Sequence, residues 1–544
     1  MMHGDETDFI IVGGGSAGCV IANRLSADPS ARVLLIEAGP VDSRRDFRLH
    51  MPSAMTMALA SRRYNWHFRT EPIASVNGRR AAYARGKALG GSSTINGFVH
   101  MRGNPRDFDG WARERGLDHW AYRYCLPYFK RSECHDHGAN AYRGGEGPLK
   151  VAKGFGASPL YEVYLEAAME AGYAFTDDFN GYRQEGFGHI DQTIHEGARM
   201  SASRAFLWPI MDRPNLTIVT GARVSRILIE RGRAVGVDYR AGGKVRTARA
   251  AREVILCAGA IQSPQILQLS GIGAADRLRA HGIDIVHDLP GVGENLQDHV
   301  EVLVQHECPR PVSLHSLAPR WKQPLIGARW LLNRSGLGAY SHFEAGGFVR
   351  ADDRSEWPDI QYHFLGMAVG YDGSNAARGD GFQVHVSPVR SLSRGHVRLG
   401  SADPADAPVI QPNWLSRERD WIEMRSGIRQ ARDIFARRAF NPFRGRELQP
   451  GAGAADNAAL DAFIREHALS GFHYCGTCRM GEDEDAVVDG RLRVHGIAGL
   501  RVADASVMPN NITGNTNAAT MMVAERASDF ILGRSLAPED VPTF

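Results

Sequence analysis

Apolar residues near the start of the chain fall into two short runs, separated by a glycine-rich turn and a stretch of helical periodicity. Four consecutive apolar residues at 9–12 are typical of a strand that is buried on both faces of a parallel sheet. The turn Gly-Gly-Gly-Ser-Ala-Gly at 13–18 comes next, and apolar residues then recur at helical spacing up to Leu25. A second apolar run lies at 32–36. The pattern predicts a strand, a helix and a parallel strand, as in a Rossmann-like domain.

Similar buried strands and glycine-containing turns return at 216–239, 253–273 and 500–532. The region 310–462 differs, because apolar and polar residues alternate in Gln-Tyr-His-Phe and Gln-Val-His-Val-Ser-Pro-Val as in half-buried strands. We therefore predict an α/β chain (α+β overall) with a discontinuous Rossmann-like cofactor domain and a second, mainly antiparallel-sheet domain that forms a floor for the substrate. The expected segments are 1–158, 205–309 and 463–544 for the cofactor domain, and 159–204 and 310–462 for the substrate domain.

The glycines at 13–18 also indicate the kind of ligand. Gly13 suits a tight turn, Gly15 allows the backbone to approach a pyrophosphate, and Gly18 allows the helix to pack closely on the strand. The N-terminus of the helix offers N–H groups to phosphate. Glu37 follows the second strand, where a carboxylate accepts hydrogen bonds from an adenosine ribose. These features predict an ADP-containing cofactor, and the alternative is a glycine-rich turn in another kind of α/β domain.

A second stretch of small residues, 85–97, would let the backbone lie flat against a ligand and donate N–H groups to it. The alternative is a mobile surface loop. The apolar residues Leu89, Ile95 and Phe98 argue against that alternative, because a mobile loop would not need them.

Composition narrows the function classes. The 544 residues carry a formal net charge of +3 without any block of like charge, so nothing points to nucleic acid. No run reaches the roughly 18 apolar residues of a transmembrane helix, and the first predicted strand begins too early for a signal peptide to precede it. We expect a cytoplasmic protein, and peripheral association with the inner face of the cell membrane stays open.

The seven cysteines do not have the arrangement of a disulfide framework. Cys475 and Cys478 form a Cys-x-x-Cys pair, which invites a zinc or redox interpretation. Without a second pair it is weak evidence for zinc, and the context differs from that of a thioredoxin-like motif. We predict that both cysteines serve packing and that the protein holds no metal.

Four stretches together resemble the glucose–methanol–choline (GMC) family of flavin oxidoreductases. They are VGGGSAGCV with IEAG, GKALGGSSTING, GAIQSPQILQLSGIG, and HYCGTCRMG with GNTNAA. Within the family the resemblance is to the bacterial choline dehydrogenases, carried by RYNWHFRTEP, HFEAGGFVR and SRGHVRL. The resemblance implies FAD as the cofactor. Some relatives attach FAD covalently through a histidine, but the matching position is Ile95, so we predict non-covalent FAD.

The resemblance also implies the reaction and its residues. A base removes the hydroxyl proton of a primary alcohol while the flavin N5 takes the hydride, and the ordinary pKa of histidine, ~6.5, suits that base. His473 matches the catalytic histidine, although Tyr474 stands where the family often has proline. Asn517 matches the second catalytic position. The residues expected to contact the cofactor are Gly13, Gly15, Ser16, Gly18, Glu37, Ala38, Arg85, Gly86, Leu89, Gly90, Gly91, Ser92, Asn96, Gly97, Val224, Asp504, Ala505 and Thr516.

Choline, oxidised to betaine aldehyde in the synthesis of glycine betaine, is the substrate that the resemblance favours. Its quaternary ammonium group calls for aromatic faces and a carboxylate, for which we select Phe472, Trp66 and Glu344. Two alternatives stay open, a family enzyme for another aliphatic or aromatic primary alcohol and a non-catalytic nucleotide-binding protein. The resemblance implies a membrane quinone as electron acceptor, and the sequence leaves oxygen open as well. It makes no prediction of the oligomeric state.

Overall fold

The computed structural model describes residues 7–154, 156–370 and 377–544. The strand–helix–strand unit predicted at the start of the chain is present as Thr7–Val12, Ser16–Leu25 and Val33–Ile36. The two strands pair in parallel, with Phe9 opposite Val33. Every residue of Val33–Ile36 is buried, as expected for a strand covered on both faces.

The first sheet has seven strands, five of which run parallel and form its core. The strand at the centre, Lys244–Leu256, pairs in parallel with Thr7–Val12 on one side and with Leu500–Val502 on the other. Its first half also joins an antiparallel ribbon. The order across the sheet is Leu216–Val219, Val33–Ile36, Thr7–Val12, Lys244–Leu256, Arg233–Ala241 and Ala222–Glu230, with Leu500–Val502 beside Lys244–Leu256.

The two ends of the described chain meet on this sheet. Helix Ser16–Leu25 packs against helix Asn517–Leu532. Arg24 of the first helix forms a 2.6 Å ion pair with the fully buried carboxylate of Glu525 in the second. Residues from both ends of the sequence thus build one unit, and the prediction of a discontinuous cofactor domain is confirmed.

The second sheet is antiparallel throughout, as predicted. Its order is Glu447–Gln449, Val300–Glu307, Gly381–Pro388, Ile360–Leu365, Ala345–Val349 and Gly186–His189, with Leu469–Ser470 beside Val300–Glu307. The expectation of half-buried strands was wrong, because Ile360–Leu365 and Gly381–Pro388 are buried along their whole length. Helix Glu418–Ala436 covers one face of the sheet, and the other face lines a cavity.

The predicted segment limits stay a prediction. One strand bears on them, since Val300–Glu307 lies in the second sheet although its residues fall within the predicted cofactor segment 205–309.

The remaining elements are shorter or lie around the two sheets. The α-helices are Ser16–Leu25, Phe47–His50, Met55–Ala60, Pro105–Arg115, Tyr122–Ser132, Leu160–Glu170, Gly259–Leu269, Ala275–Ala280, Leu314–Leu317, Gln323–Asn333, Glu418–Ala436, Asn457–His467 and Asn517–Leu532. The small sheets are Phe68–Arg69 with Ala82–Tyr83, Glu133–His135 with Leu149–Lys153 and Asp191–Gln192, Ile194–His195 with Ala198–Arg199, Ile272–Gly273 with His287–Asp288, and His396–Arg398 with Val409–Gln411.

Candidate active site

A cavity of about 570 Å³ lies between the two sheets. One end is lined by Glu37, Ala38 and Val224 of the first sheet. The other end is lined by His473 and by residues of the second sheet. The cavity therefore joins the predicted nucleotide site to the predicted catalytic histidine.

Three helices begin at the wall of this cavity. Their first residues are Ser16, Gly259 and Asn517. None of the three has a side-chain hydrogen bond to its N-terminal N–H groups from the residue before it. N–H groups at helix N-termini attract phosphate, so the N-terminus at Ser16, beside the glycines of 13–15, suits a pyrophosphate, whereas the N–H of Gly259 is already accepted by the carboxylate of Asp504. The helix at Gly259 was not among the predicted cofactor residues.

The glycines of the two small-residue stretches meet at close range. A Cβ atom at Gly91 would lie 2.7 Å from Cα of Gly15, and one at Gly13 would lie 2.6 Å from the carbonyl oxygen of Cys257. Both glycines have positive φ, +54° for Gly91 and +100° for Gly13. The backbone of 13–15 therefore lies directly against that of 91, and both stretches form one wall of the cavity.

Glu37 lies at the nucleotide end as predicted. Its two carboxylate oxygens accept the N–H groups of Gly14 at 2.8 Å and Gly39 at 2.7 Å. Burial raises the pKa of this carboxyl to about 7. These bonds fix the carboxylate at the end of strand Val33–Ile36, facing the cavity.

Asp504 lines the same end of the cavity and follows the last strand of the first sheet, Leu500–Val502. One of its oxygens accepts the N–H of Gly259 at 2.8 Å and the hydroxyl of Ser263 at 2.6 Å. Burial raises the pKa of this carboxyl. Asp504 thereby ties the C-terminal segment to the start of the helix that begins at Gly259.

Most of the predicted cofactor residues line the cavity, and three lie behind its wall. Those that line it are Gly13, Gly15, Ser16, Glu37, Ala38, Arg85, Gly86, Gly91, Ser92, Asn96, Gly97, Val224, Asp504, Ala505 and Thr516. Gly18, Leu89 and Gly90 do not. Gly18 lies against the carbonyl of Gly13, and Gly90 donates its N–H to the carbonyl of Gly14 at 2.6 Å. Gly18 and Gly90 support the loop through these contacts, and a cofactor contact of either residue or of Leu89 stays a prediction.

The imidazole of His473 lies at the opposite end and is held at both nitrogens. Its Nδ1 is 3.0 Å from Nδ1 of His299, and its Nε2 is 2.9 Å from the side-chain amide nitrogen of Asn515. If the amide donates, Nε2 carries the lone pair and the Nδ1–H donates to His299. In this structure the amide occupies that lone pair, and a substrate hydroxyl that takes the place of the amide N–H would meet a proton acceptor.

The side-chain amide that meets His473 belongs to Asn515, and the prediction of Asn517 for that position needs correction. The side chain of Asn517 instead accepts the hydroxyl of Ser16 at 2.7 Å. Helix Asn517–Leu532 begins there, so Asn517 points back to the first helix while Asn515 precedes the helix and points into the substrate end. Gln361 completes the arrangement, because its amide nitrogen is 3.0 Å from the side-chain oxygen of Asn515.

Burial keeps the imidazoles of His473, His299 and His363 uncharged. It holds the pKa of His473 well below its ordinary value, and nearby His299 and His363 lower it further. Burial also lowers the pKa of His299 and of His363 to about 3 each. At neutral pH His473 is therefore a neutral base.

The loop that carries His473 is fixed by Asp298. This carboxylate accepts the backbone N–H of His473 at 3.0 Å and the hydroxyl of Ser470 at 2.7 Å. Burial raises its pKa to about 7. Tyr474, which stands in place of the family's frequent proline, stacks on Tyr83 with ring centroids 3.8 Å apart. Packing and hydrogen bonds thus hold this loop without a proline.

Two of the three predicted substrate residues lie elsewhere than expected. Phe472 lines the cavity. Trp66 stacks on Phe68, and Lys87 and Arg223 lie over its ring, which puts it near the nucleotide end.

Glu344 is buried and accepts the N–H of Gly156. It is not among the described residues that line the cavity. Its neighbours His342 and Phe343 do line it.

The sequence analysis missed the residues that the second sheet contributes. Glu301, His363 and His385 line the cavity from three neighbouring strands. A signal was present, because His363 and His385 stand at polar positions of the alternating stretches Gln-Tyr-His-Phe and Gln-Val-His-Val.

Cys475 and Cys478 are free and buried, and burial raises the pKa of both thiols. Such thiols have little thiolate character at neutral pH.

Comparison with known proteins agrees with this site. Family models for the N- and C-terminal parts of GMC oxidoreductases match residues 7–301 and 391–524. The chain belongs to the GMC oxidoreductase family. The prediction from the sequence motifs is thereby confirmed, and the protein is an FAD-dependent oxidoreductase with the α/β fold of that family.

Individual relatives cover nearly the whole chain. An oxygen-dependent choline dehydrogenase of Escherichia coli O127:H6 (strain E2348/69 / EPEC) is 52% identical over 537 residues, 98% of this chain and 97% of the relative. Among solved structures, pyridoxine 4-oxidase from Mesorbium loti is 33% identical with a TM-score of 0.86 and covers 96% of this chain and 98% of its own. A formate oxidase of Aspergillus oryzae RIB40 is 29% identical with a TM-score of 0.92, covering 98% and 99%.

Within the described part of this GMC family member, the helices are too short or too polar to cross a membrane.

Proposed function

We propose that this enzyme binds FAD non-covalently and oxidises choline to betaine aldehyde. The observation that carries the proposal is the neutral imidazole of His473 beside the amide of Asn515, at the end of the cavity opposite the nucleotide loop. The 52% identity to an oxygen-dependent choline dehydrogenase over nearly the whole chain supports choline as the alcohol.

His473 and Asn515 act on the hydroxyl group of the substrate. His473 takes the hydroxyl proton at Nε2, while its Nδ1–H continues to donate to Nδ1 of His299. Asn515 donates to the alcohol oxygen and stabilises the negative charge that grows there as the proton leaves. When bound, FAD supplies the acceptor for the hydride that leaves the alcohol carbon. The glycines of 13–15 and 91 would hold its pyrophosphate, and Glu37 its adenosine ribose.

One experiment distinguishes choline oxidation from two other functions, oxidation of another primary alcohol and non-catalytic nucleotide binding. Purified enzyme with its bound yellow cofactor is mixed anaerobically with choline, an aliphatic primary alcohol or an aromatic primary alcohol, and loss of flavin colour is followed. We expect fast bleaching by choline. Faster bleaching by an uncharged alcohol would assign the enzyme to that substrate, and absence of any bound flavin would support a non-catalytic nucleotide-binding protein.

The relative's name supports oxygen as an electron acceptor, and a surface beside the cavity supports a second acceptor in the membrane. We define this docking surface by four exposed side chains, Trp321, Leu325, Leu331 and Leu332, with exposed fractions of 71%, 67%, 59% and 81%. Residues 308–343 contain no acidic residue and carry five lysines or arginines, at 310, 320, 322, 329 and 334.

Exposed apolar side chains flanked by cations suit an anionic lipid surface. Gln323 in the same segment lines the cavity, so the docking surface adjoins the site. We therefore propose that this enzyme docks peripherally on the cytoplasmic face of the membrane and reduces a quinone-type acceptor there.

Vesicle sedimentation tests the docking. The holoenzyme should bind vesicles that contain anionic phosphatidylglycerol, and the double variant Leu325→Ser with Leu332→Ser should bind much less. Val245→Ser, which changes an exposed valine of the first sheet, is the matched control. Equal binding of the double variant and the wild type, or no binding by the wild type, would contradict the proposal.

A further inference from the structure

Three consecutive side chains outside the cavity carry atoms that can bind a metal ion. His135, Asp136 and His137 follow one another where strand Glu133–His135 ends. One ligand atom from each, two imidazole nitrogens and a carboxylate oxygen, all lie within 4.8 Å of one another. The three residues are not among those that line the cavity. They form a separate cluster on another face of the chain's structure, in the small sheet that contains Leu149–Lys153 and Asp191–Gln192.

A turn brings the three side chains together. In a continuing strand Asp136 would point away from the two histidines, because successive side chains alternate between faces. The strand ends at His135 instead, and the N–H of Gly138 donates to the carbonyl of His135 at 3.0 Å, which closes a turn. Gly138 has a φ of +83°, which suits glycine. The turn places Oδ1 of Asp136 3.5 Å from Nδ1 of His135 and 4.0 Å from Nε2 of His137.

The spacing of these atoms suits a tetrahedral cation. Zn²⁺ binds nitrogen and oxygen ligands at about 2.0–2.1 Å, so two ligand atoms on one tetrahedral ion are about 3.4 Å apart. The separations of 3.5 and 4.0 Å need only small side-chain rotations to reach that value. The side chains of Asp136 and His137 are 41% and 69% exposed. Water can therefore complete the coordination.

The imidazole of His135 is already oriented as a metal ligand. Its side chain is only 5% exposed. The backbone N–H of His137 donates to Nδ1 at 3.2 Å, so Nδ1 carries the lone pair and Nε2 carries the proton. Nε2 is 3.4 Å from Oδ1 of Asp191. A carboxylate behind the N–H of a ligating histidine is usual at metal sites, where it fixes the ring and raises its basicity. A cation would take the place of the N–H of His137 at Nδ1.

The carboxylate of Asp136 is also held, through its other oxygen. Oδ2 accepts the backbone N–H of Lys153 at 3.2 Å, and the N–H of Asp136 donates to the carbonyl of Val151 at 2.9 Å. The ammonium group of Lys153 is paired elsewhere, 2.8 Å from Oδ1 of Asp191 and 2.7 Å from the carbonyl oxygen of Asp177. These contacts fix Asp136 and leave Oδ1 for a cation.

We propose that His135, Asp136 and His137 bind one Zn²⁺ ion through two imidazole nitrogens and one carboxylate oxygen. Imidazole ligands favour Zn²⁺ and its neighbours Cu²⁺ and Ni²⁺, whereas Mg²⁺ and Ca²⁺ prefer oxygen ligands. The site is independent of the proposed function, because it lies outside the cavity. It goes against the prediction from the sequence that the protein holds no metal.

Titration calorimetry of the holoenzyme with zinc chloride tests the site. The protein is freed of metal and carries no affinity tag. We expect one Zn²⁺ per chain in the tightest step and no such step with magnesium chloride. His137→Ala and Asp136→Asn should each weaken Zn²⁺ at least about tenfold, the smaller loss seen when only an outer partner of a metal ligand is removed. His195→Ala is the matched control. It removes a half-exposed histidine 3.8 Å from a single carboxylate, that of Glu196, and should bind Zn²⁺ like the wild type.

Electron paramagnetic resonance with Cu²⁺ identifies the ligands. One equivalent of Cu²⁺ should show splitting by imidazole nitrogens in the wild type, and by fewer nitrogens in His137→Ala. Flavin content and the visible spectrum show that each variant has folded. The proposal fails if the wild type lacks the Zn²⁺ step, if Mg²⁺ binds as tightly, or if His137→Ala and Asp136→Asn bind Zn²⁺ like the wild type. A Cu²⁺ signal without imidazole splitting would also contradict it.

Discussion

Asn515 and Asn517 are only two residues apart but make different contacts. The reason is that the C-terminal helix begins at Asn517 and leaves Asn515 in the segment before it. The motif GNTNAA indicates an active-site asparagine but does not say which one. The direction of each side chain depends on where helix Asn517–Leu532 starts and on what it packs against. The hydroxyl of Ser16, some 500 positions earlier, donates to the side chain of Asn517. The side-chain amide of Asn515 contacts His473 instead.

Alanine variants of these two residues should therefore behave differently. Asn515→Ala removes the donor to the alcohol oxygen and should slow anaerobic flavin reduction by about 10²–10³-fold. Asn517→Ala removes a contact to the first helix, so it should loosen FAD while changing the reduction rate less than about 3-fold. Equal slowing by both variants, or slowing by Asn517→Ala alone, would contradict the assignment.

The carboxyl of Asp298 gives the reaction a pH dependence that does not come from the base. Its pKa is raised by burial to about 7, so it is neutral below that pH and ionised above it. Ionised Asp298, next to the backbone of His473, favours the positive charge that the imidazole gains. The pKa of free His473 lies well below 6.5, so its own titration falls outside this range.

The kcat/KM for choline should accordingly rise with pH through about 7 and level off above it. Asp298→Asn, which keeps the shape of the side chain, should be slower and should lose this rise. The measurement is kcat/KM for choline from pH 5.5 to 9. Persistence of the same rise in Asp298→Asn would assign it to another group.

Among the elements, the glycine-containing helix of the first unit was fully predictable because its requirements are local. Gly18 is needed where helix Ser16–Leu25 crosses the loop, since a Cβ atom there would lie 1.9 Å from the carbonyl oxygen of Gly13. Such an approach is impossible without moving the nucleotide loop. The spacing of the glycines contains that information, and no distant residue is required.

A pair of glycine-to-alanine variants tests this account. Gly18→Ala should abolish FAD binding or prevent folding. Gly110→Ala, in helix Pro105–Arg115, has no atom within 4 Å of the new methyl group. It should be neutral or stabilise the protein by up to about 1 kcal/mol. Thermal unfolding and flavin content of both variants are the measurements, and a Gly18→Ala protein with normal FAD would refute the packing argument.

The second sheet was less predictable, and the reason is again physical. Alternation in Ile360–Leu365 and Gly381–Pro388 correctly indicates strands, but the polar residues face an internal cavity instead of solvent. His363, Gln383 and His385 are polar because they line a site. An alternating pattern is the same in both cases, so sequence alone could not identify the floor of the cavity.

For the molecule as a whole, the family motifs correctly predict the cofactor and the fold class, and they select His473 as the proposed catalytic base. They could not give the contacts that depend on how two distant parts of the chain meet. Arg24 with Glu525 and Ser16 with Asn517 join the two ends of the described chain. The contact of the Glu344 carboxylate with the N–H of Gly156, which leaves Glu344 out of the cavity lining, likewise depends on distant parts of the chain.

The most direct measurement of the central claim is a single anaerobic turnover. The holoenzyme is mixed with choline, and the loss of flavin colour and the amount of betaine aldehyde are recorded for the wild type and for His473→Gln. We predict one aldehyde per flavin reduced in the wild type, and reduction slowed by about 10²–10⁴-fold in His473→Gln with its FAD retained. Flavin that stays oxidised in the wild type, or a His473→Gln enzyme as fast as the wild type, would contradict the account.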